Sequence, residues 1–245
     1  MTGPGALAMF LDFDGTLVDF ADHPDDVELD SRTLACVRRI YDRLDGALAI
    51  VTGRDIASVD RFFAPHLMPV AGVHGLVRRD VSGRVHSVPL DEEVLAGLAS
   101  KLQGFAARHP GLLVERKPGA VVLHHRRRPD LAGTCLDRME RLTGELGGVT
   151  LMRGKAVIEA RAGNADKGGA IAAFLKEPPF AGRCPVFAGD DVTDEHGFAR
   201  VNALGGVTIK VGPGPTCARY RVPQIGDFRR WLCETARRFE ERDGA

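Results

Sequence analysis

Two aspartates separated by one residue stand at the end of the first apolar run of the chain. The run Leu7 to Leu11 leads directly into Asp12-Phe13-Asp14-Gly15-Thr16. Residues two apart on a strand share a face, and the turn permitted by Gly15 directs both carboxyl groups into one pocket. One aspartate can attack phosphorus to give an acyl phosphate, while the other exchanges protons with the leaving oxygen and with water. The alternative is an acid pair that only caps the next helix.

A second group of acids lies late in the chain, in Gly189-Asp190-Asp191-Val192-Thr193-Asp194-Glu195. Carboxylates crowded into one turn repel each other, which disfavours full ionisation without a cation. Mg²⁺ prefers oxygen ligands and is satisfied by one or two aspartates together with a phosphate oxygen. Asp190, nearest the preceding strand, is the predicted metal ligand of this group. Asp191 or Asp194 can instead cap the following helix.

Thr52 and Lys167 supply the polar groups that a phosphate would need. A hydroxyl at a strand end can donate to a phosphoryl oxygen, and a lysine near a helix start offers a compact positive charge. Taken alone, each residue is better explained as a helix cap or a solvated charge. Their positions relative to the two acid groups favour phosphate binding.

The elements around these residues alternate between short apolar runs and helical patterns, which is typical of an α/β fold with a parallel sheet. Strands are predicted at Leu7 to Leu11, Leu48 to Val51, Pro185 to Ala188 and Val207 to Val211. Helices are predicted at Ser31 to Leu44, Asp55 to Phe63, Lys167 to Leu175 and Thr193 to Val201. Ligands of open parallel sheets bind beyond the carboxyl ends of the strands, so the polar segments there are expected to converge.

The middle of the chain has a different pattern and predicts an inserted α+β domain. Pro118-Gly119 indicates a hairpin between strands at Leu112 to Lys117 and Ala120 to Arg126. Helical segments at Asp91 to Ala107 and Leu131 to Leu146 separate these strands from a last one at Ala156 to Arg161. The expected organisation is therefore a core of residues 1–78 and 163–245 interrupted by an insert of residues 79–162.

Strand periodicity predicts one charged face on the sheet of this insert. Glu115 and Lys117 share a face of one strand, and the face of another strand carries Lys155, Glu159 and Arg161. Cross-strand ion pairs on a solvated face would account for this pattern. The functional interpretation is that these groups hydrogen-bond the hydroxyls of a sugar.

Composition excludes several other classes of protein. The 245 residues are 44% hydrophobic and carry 33 basic against 33 acidic side chains, so nucleic acid and anionic membranes are poor default partners. The first apolar run has no basic region ahead of it and breaks at Asp12, which fits neither a signal peptide nor a membrane span. A cytoplasmic protein is expected, with its five scattered cysteines reduced.

The catalytic candidates together resemble the four motifs of the haloacid dehalogenase superfamily. The matching residues are Asp12 and Asp14, then Thr52, then Lys167, and finally Gly189-Asp190-Asp191. The resemblance implies a Rossmann-like core with an inserted C2-type cap. It also implies that Asp12 is the nucleophile, Asp14 the general acid and base, and that Mg²⁺ is held by Asp12, the carbonyl of Asp14 and Asp190.

Further motifs narrow the resemblance to the trehalose-6-phosphate phosphatases. They are Val51-Thr52-Gly53-Arg54, Gly72-Val73-His74-Gly75, Glu115-Arg116-Lys117, His124-His125-Arg126, Gly154 to Arg161, Gly189 to Glu195, Gly212 to Thr216 and Tyr220-Arg221. Pro118, Ala120 and His125 replace the glycine, serine and tyrosine common in the family, and Ala162 replaces proline. These departures concern loop geometry and leave the catalytic set intact.

The resemblance implies hydrolysis of trehalose 6-phosphate, with Glu115, Lys117, Lys155 and Glu159 contacting the terminal glucose. Gly53 and Arg54 are expected beside the substrate, and His74, Arg126 and Arg161 are further candidates that a purely structural role would also explain. A trehalose-6-phosphate synthase is the expected functional partner. Two other functions stay open: a phosphatase for another sugar phosphate, and a non-catalytic sugar-phosphate sensor.

Overall fold

A computed structural model describes residues 6–20, 26–87, 92–117, 119–146, 149–154, 156–163 and 165–241. The chain forms two compact units, residues 1–86 with 166–245, and residues 87–165. The sheet of the first unit continues through strands at Val77–Arg79 and Val85–Ser87, so the boundary of this unit lies later than the expected start of the insert at residue 79. The division into a core of residues 1–78 and 163–245 and an insert of residues 79–162 stays a prediction.

The larger unit is built on an eight-stranded, mainly parallel sheet, which confirms the predicted α/β fold class. Its strands are β1 (Leu7–Leu11), β2 (Leu48–Val51), β3 (Val70–Gly72), β4 (Val77–Arg79), β5 (Val85–Ser87), β10 (Cys184–Gly189), β11 (Val207–Val211) and β12 (Tyr220–Val222). Its helices are α1 (Ser31–Arg43), α2 (Ile56–Phe63), α5 (Lys167–Phe174), α6 (Glu195–Ala203) and α7 (Ile225–Glu241).

The strand order β12-β11-β10-β1-β2-β3-β4-β5 makes β1 a central strand. The LAMFL sequence of β1 is apolar throughout because both faces of a central parallel strand are covered. Leu11 pairs with Ala188 of β10 on one side and with Ile50 of β2 on the other. This register brings the residues that follow all three strands to the same edge of the sheet.

The smaller unit is a four-stranded antiparallel sheet with order β6-β7-β9-β8, as expected for an α+β insert. Its elements are α3 (Glu92–Ala107), β6 (Leu113–Lys117), β7 (Ala120–His124), α4 (Ala132–Gly144), β8 (Val149–Gly154) and β9 (Val157–Ala162). One sheet face carries Val121, Leu123, Ile158 and Ala160, which pack with residues of α3 and α4 in a separate hydrophobic core. The opposite face carries charged side chains of β6 and β9 beside the buried Ala120 and Val122 of β7.

One expectation about the cysteines is wrong, because Cys36 of α1 and Cys233 of α7 form a disulfide. The two helices pack together, and the Cα atoms of these residues lie 5.1 Å apart, within the range a disulfide requires. Cys135, Cys184 and Cys217 are free thiols. Among the described residues, no helix combines the length and apolar character needed to cross a bilayer.

Candidate active site

Lys167 is the first residue of α5 and lies at the centre of the acidic cluster. The helix begins there because the Asp166 side chain accepts a hydrogen bond from the amide of Gly169. The Lys167 ammonium donates to Oδ1 of Asp12 at 2.8 Å and to Oδ1 of Asp194 at 2.6 Å. Burial alone would lower the pKa of Lys167, but the two carboxylates raise it, so the ammonium stays charged.

Asp194 links this lysine to the loop after β10. Its Oδ2 atom accepts hydrogen bonds from the amides of Asp190 and Asp191, each at 2.9 Å. The side chains of Asp191 and Asp194 form a reciprocal capping box around the short helical turn Val192–Asp194, so both acids have the capping role considered for them. Asp194 itself is fully buried and orients Lys167, a role that its spacing in the sequence did not reveal.

The carboxylate oxygens of Asp12, Asp190 and Asp194 lie within 4.8 Å of one another. Burial, and next the charge of Asp194, raise the pKa of Asp12 well above its usual range. The same two causes raise the pKa of Asp190 to about 6. Both carboxyl groups therefore gain from a nearby divalent cation, and an all-oxygen ligand set fits Mg²⁺. Asp194 has its oxygens bound to Lys167 and to two amides, which leaves Asp12 and Asp190 for the ion.

Gly15 is required by the close approach of Asp190. A Cβ atom at position 15 would lie 2.2 Å from Oδ2 of Asp190, and the φ angle of +75° disfavours any other residue. The glycine therefore lets the loop after β1 and the loop after β10 share one small space. Asp14, on the same loop, points its carboxylate to Arg54 instead, with Nη2 of Arg54 at 2.7 Å from Oδ1.

Thr52 follows β2 and is fully buried. Its hydroxyl accepts a hydrogen bond from the amide of Arg54 at 3.1 Å, which orders the turn at the strand end. The amide of His74 donates to the carbonyl of Thr52, and His74 adopts a left-handed backbone conformation with φ of +56°. A Cβ atom on Gly53 would lie 2.6 Å from Nε2 of His74, so Gly53 makes room for this ring. His74 therefore packs directly against the predicted phosphate-binding turn.

A buried lysine near this cluster was missed by the sequence analysis. Lys210 of β11 pairs with Gly189 of β10 and donates from its ammonium to the carbonyl of Asp190. It is only 4% exposed. A lysine inside the strand sequence VTIKV was the available signal, because lysine is rarely buried unless paired.

The smaller unit carries a charged sheet face made of Glu115, Lys117, His124, Glu159 and Arg161. The strand register aligns Glu115 with Val122 and Val122 with Glu159, so both glutamates lie in one cross-strand row. Nε2 of His124 lies 2.8 Å from Glu115, and Nε of Arg161 lies 2.9 Å from Glu159. The predicted shared face is present, and its side chains are already paired with one another.

Arg126 and Lys155 are the other two predicted site residues of the smaller unit. Arg126 is exposed in the turn that follows β7. Lys155 lies outside the described residues, between β8, which ends at Gly154, and Ala156, which has a φ of +67°. The predicted last strand begins at Val157 rather than Ala156, because Ala156 lies in a turn.

The family model for trehalose-phosphatase matches residues 10–224, a span that includes both acid groups and the charged sheet. This chain belongs to the trehalose-phosphatase family. The resemblance to the trehalose-6-phosphate phosphatases seen in the motifs is confirmed, and with it the predicted enzyme class, a trehalose-phosphatase.

Relatives and solved structures agree with this membership. The chain is 40% identical over 225 residues to the trehalose-6-phosphate phosphatase of Escherichia coli (strain K12), covering 92% of this chain and 85% of that protein. It is 43% identical over 207 residues to a probable trehalose-phosphate phosphatase of Sinorhizobium fredii, covering 84% and 78%. A solved trehalose-6-phosphate phosphatase related protein superposes with a TM-score of 0.77 at 29% identity, covering 96% and 99%.

Proposed function

We propose that this chain hydrolyses trehalose 6-phosphate to trehalose and inorganic phosphate, the second step of trehalose biosynthesis. The buried contact of Lys167 with Asp12, beside Asp190, carries the proposal. A charged ammonium against an aspartate holds that carboxylate in place and offers positive charge to the phosphoryl oxygens of a substrate. Membership of the trehalose-phosphatase family supports the choice of ester.

Asp12 is the proposed nucleophile. Its Oδ1 atom is bound by Lys167, and its second oxygen attacks phosphorus to form an aspartyl phosphate as the sugar oxygen leaves. Asp14 gives a proton to that oxygen and later takes one from the water that cleaves the acyl phosphate. Thr52, at the end of β2, binds a phosphoryl oxygen.

Mg²⁺ is the proposed cofactor, held by Asp12, Asp190 and the carbonyl of Asp14. When bound, the ion neutralises negative charge on the phosphoryl group and fixes its orientation. The raised pKa values of Asp12 and Asp190, due first to burial, support a cation at this point. Lys210 orients the loop that carries Asp190 by holding its carbonyl.

The charged face of the smaller unit is proposed to bind the terminal glucose through Glu115, Lys117, Lys155 and Glu159. Carboxylates accept and ammonium groups donate hydrogen bonds, so the mixed face matches sugar hydroxyls, which do both. Binding of the non-reacting sugar can lower the barrier at the phosphate. The chain has no net charge, which fits a small-molecule substrate. A trehalose-6-phosphate synthase is the proposed functional partner.

A cytoplasmic location, expected from the sequence, stays a prediction. The Cys36–Cys233 disulfide is unusual for that compartment. Two other functions are tested with the main one: a phosphatase for a different sugar phosphate, and a non-catalytic sensor. The intact Asp12, Asp14, Lys167 and Asp190 favour catalysis, because a sensor could lose the nucleophile and still bind its ligand.

The test is phosphate release from trehalose 6-phosphate, glucose 6-phosphate, sucrose 6-phosphate and mannosylglycerate phosphate, with Mg²⁺ and with a chelator. We expect metal-dependent release that strongly prefers trehalose 6-phosphate. Preference for another ester would support the proposed catalytic residues and contradict the proposed substrate. Binding of trehalose 6-phosphate without release of phosphate from any ester would favour the sensor.

A further inference from the structure

Two nitrogens on one edge of the Arg54 guanidinium group donate hydrogen bonds to the carboxylate of Asp14. Nε lies 2.8 Å from Oδ2, and Nη2 lies 2.7 Å from Oδ1. The Arg54 side chain is 11% exposed and that of Asp14 is 28% exposed, so solvent only partly screens the pair. The sequence predicted a substrate contact for Arg54, whereas in the structure it contacts the proposed acid and base.

Arg54 is itself held rigidly, by its backbone and by its side chain. Its amide donates to the hydroxyl of Thr52 at 3.1 Å, and its carbonyl accepts from the amide of Val73 at 2.9 Å. Its guanidinium carbon lies 5.4 Å from the ring centre of Phe13 and 5.8 Å from that of Phe62, within range of cation–π attraction. A group anchored in this way can fix the orientation of its partner.

We propose that Arg54 is a positioning residue that fixes the orientation of the Asp14 carboxyl group for the second half of the reaction, in which Asp14 accepts a proton. This inference rests on the proposed function. In that step the oxygen of a water bonds to phosphorus, and the bond between phosphorus and Asp12 breaks. The electron pair leaves with the Asp12 carboxylate, and the water proton passes to Asp14. The contact of both Asp14 oxygens with Arg54 fixes the direction of the carboxyl group, and a fixed direction is what the acceptor of the water proton needs.

The two half-reactions can be separated with p-nitrophenyl phosphate, because p-nitrophenolate leaves without being protonated. Loss of the base then leaves phosphorylation of Asp12 possible while cleavage of the acyl phosphate slows. Rapid mixing of Arg54→Met with this substrate and Mg²⁺ should give a burst of about one p-nitrophenolate per protein. A steady rate on the order of 10²-fold below that of the unsubstituted protein should follow.

Matched variants separate positioning from a general loss of structure. Arg54→Lys keeps the charge but loses the fork, and should restore part of the steady rate. Asp14→Asn should show the same burst. The double variant, Arg54→Met with Asp14→Asn, should be no slower than Asp14→Asn alone, because Arg54 acts only through Asp14. Circular dichroism checks the fold of each variant, and Arg54→Lys with Asp14→Asn carries the test if Arg54→Met does not fold.

Three results would overturn the inference: a raised KM with unchanged kcat, which marks a substrate contact; the absence of a burst; or independent, additive losses in the double variant. Failure of the substrate assignment is a separate result. If the protein hydrolyses p-nitrophenyl phosphate but not trehalose 6-phosphate, the assigned ester is wrong and the burst still decides the role of Arg54. No hydrolysis of either ester would overturn both proposals.

Discussion

The ammonium nitrogen of Lys167 lies 2.6 Å from Oδ1 of Asp194, and both side chains are almost completely excluded from solvent. Asp194 joins the start of α5 to the loop after β10, because its other oxygen accepts from the two amides of that loop. The contact therefore sets the position of Lys167 beside Asp12. Asp194, which the sequence suggested as a helix cap, is thereby a support for Lys167, the proposed phosphate-binding lysine.

Asp194→Asn should destabilise the protein by about 3–5 kcal/mol, because it leaves a buried ammonium with one of its two carboxylate partners. Urea unfolding followed by circular dichroism measures this loss. Asp191→Asn is the matched control, since Asp191 is an exposed acid of the same turn and its amide variant can still cap it. Equal stability of Asp194→Asn and the unsubstituted protein would show that Asp194 does not support Lys167.

Asp30 caps α1, and its contribution to stability should depend on pH. Its side chain accepts from the amide and the hydroxyl of Thr33, at 2.9 and 2.6 Å. Partial burial alone would raise the pKa of Asp30, but the hydrogen bonds from Thr33 lower it below 3.8. Asp30→Ala should lower the free energy of unfolding by about 0.5–2 kcal/mol at pH 7.

That difference should be fully present above the unfolded pKa of 3.8 and should shrink as the pH falls through the lower folded value. Denaturant unfolding between pH 7 and pH 3 tests this sign. Asp30→Asn retains an acceptor and has no titrating group, so its stability relative to Asp30→Ala should not vary with pH. A difference between Asp30 and Asp30→Ala that grows in acid would contradict the assignment.

Lys117→Ala should slow trehalose 6-phosphate hydrolysis more than hydrolysis of p-nitrophenyl phosphate, because only the first ester carries a sugar for the charged face. Arg116→Ala is the control: Arg116 is the preceding residue of β6, is also exposed, and pairs with Glu92. Adjacent strand residues point to opposite faces, so this variant removes a cation from the other side. The ratio of kcat/KM for the two esters is the measurement. If Lys117→Ala and Arg116→Ala give the same ratio of kcat/KM for the two esters, the charged face does not bind the sugar and has only a structural role.

Removal of the Cys36–Cys233 bond should lower the free energy of unfolding by about 2–5 kcal/mol, because the bond closes a long loop in the unfolded chain. Urea unfolding with and without a reductant measures the loss, and Cys36→Ser should reproduce it. Cys184→Ser, at an exposed free thiol, should leave the midpoint unchanged. A midpoint insensitive to reductant would mean that the bond does not form in solution.

The buried strands were predictable because central parallel strands are uniformly apolar. The bounds of β1, β2 and β11 are those expected from the sequence. β8 (Val149–Gly154) was missed, since its sequence VTLMRG mixes polar residues and glycine without a clear period.

Contacts between side chains distant in sequence were beyond prediction. Arg54 lies 40 positions from Asp14, and nothing in either motif indicates that they pair rather than face the substrate. The disulfide joins residues 197 positions apart, so it depends on how α1 and α7 pack. Types and spacing of residues predicted which groups share the edge of the sheet, and packing decides which of them touch.

The central claim is that Asp12 becomes phosphorylated by trehalose 6-phosphate. Rapid acid quenching of the protein with this ester and Mg²⁺, followed by mass spectrometry of its peptides, tests the claim directly. We expect phosphate on the peptide that contains Asp12, no label in the presence of a chelator, and none in Asp12→Asn. Turnover that continues with phosphate on another residue, or in Asp12→Asn, would contradict the account.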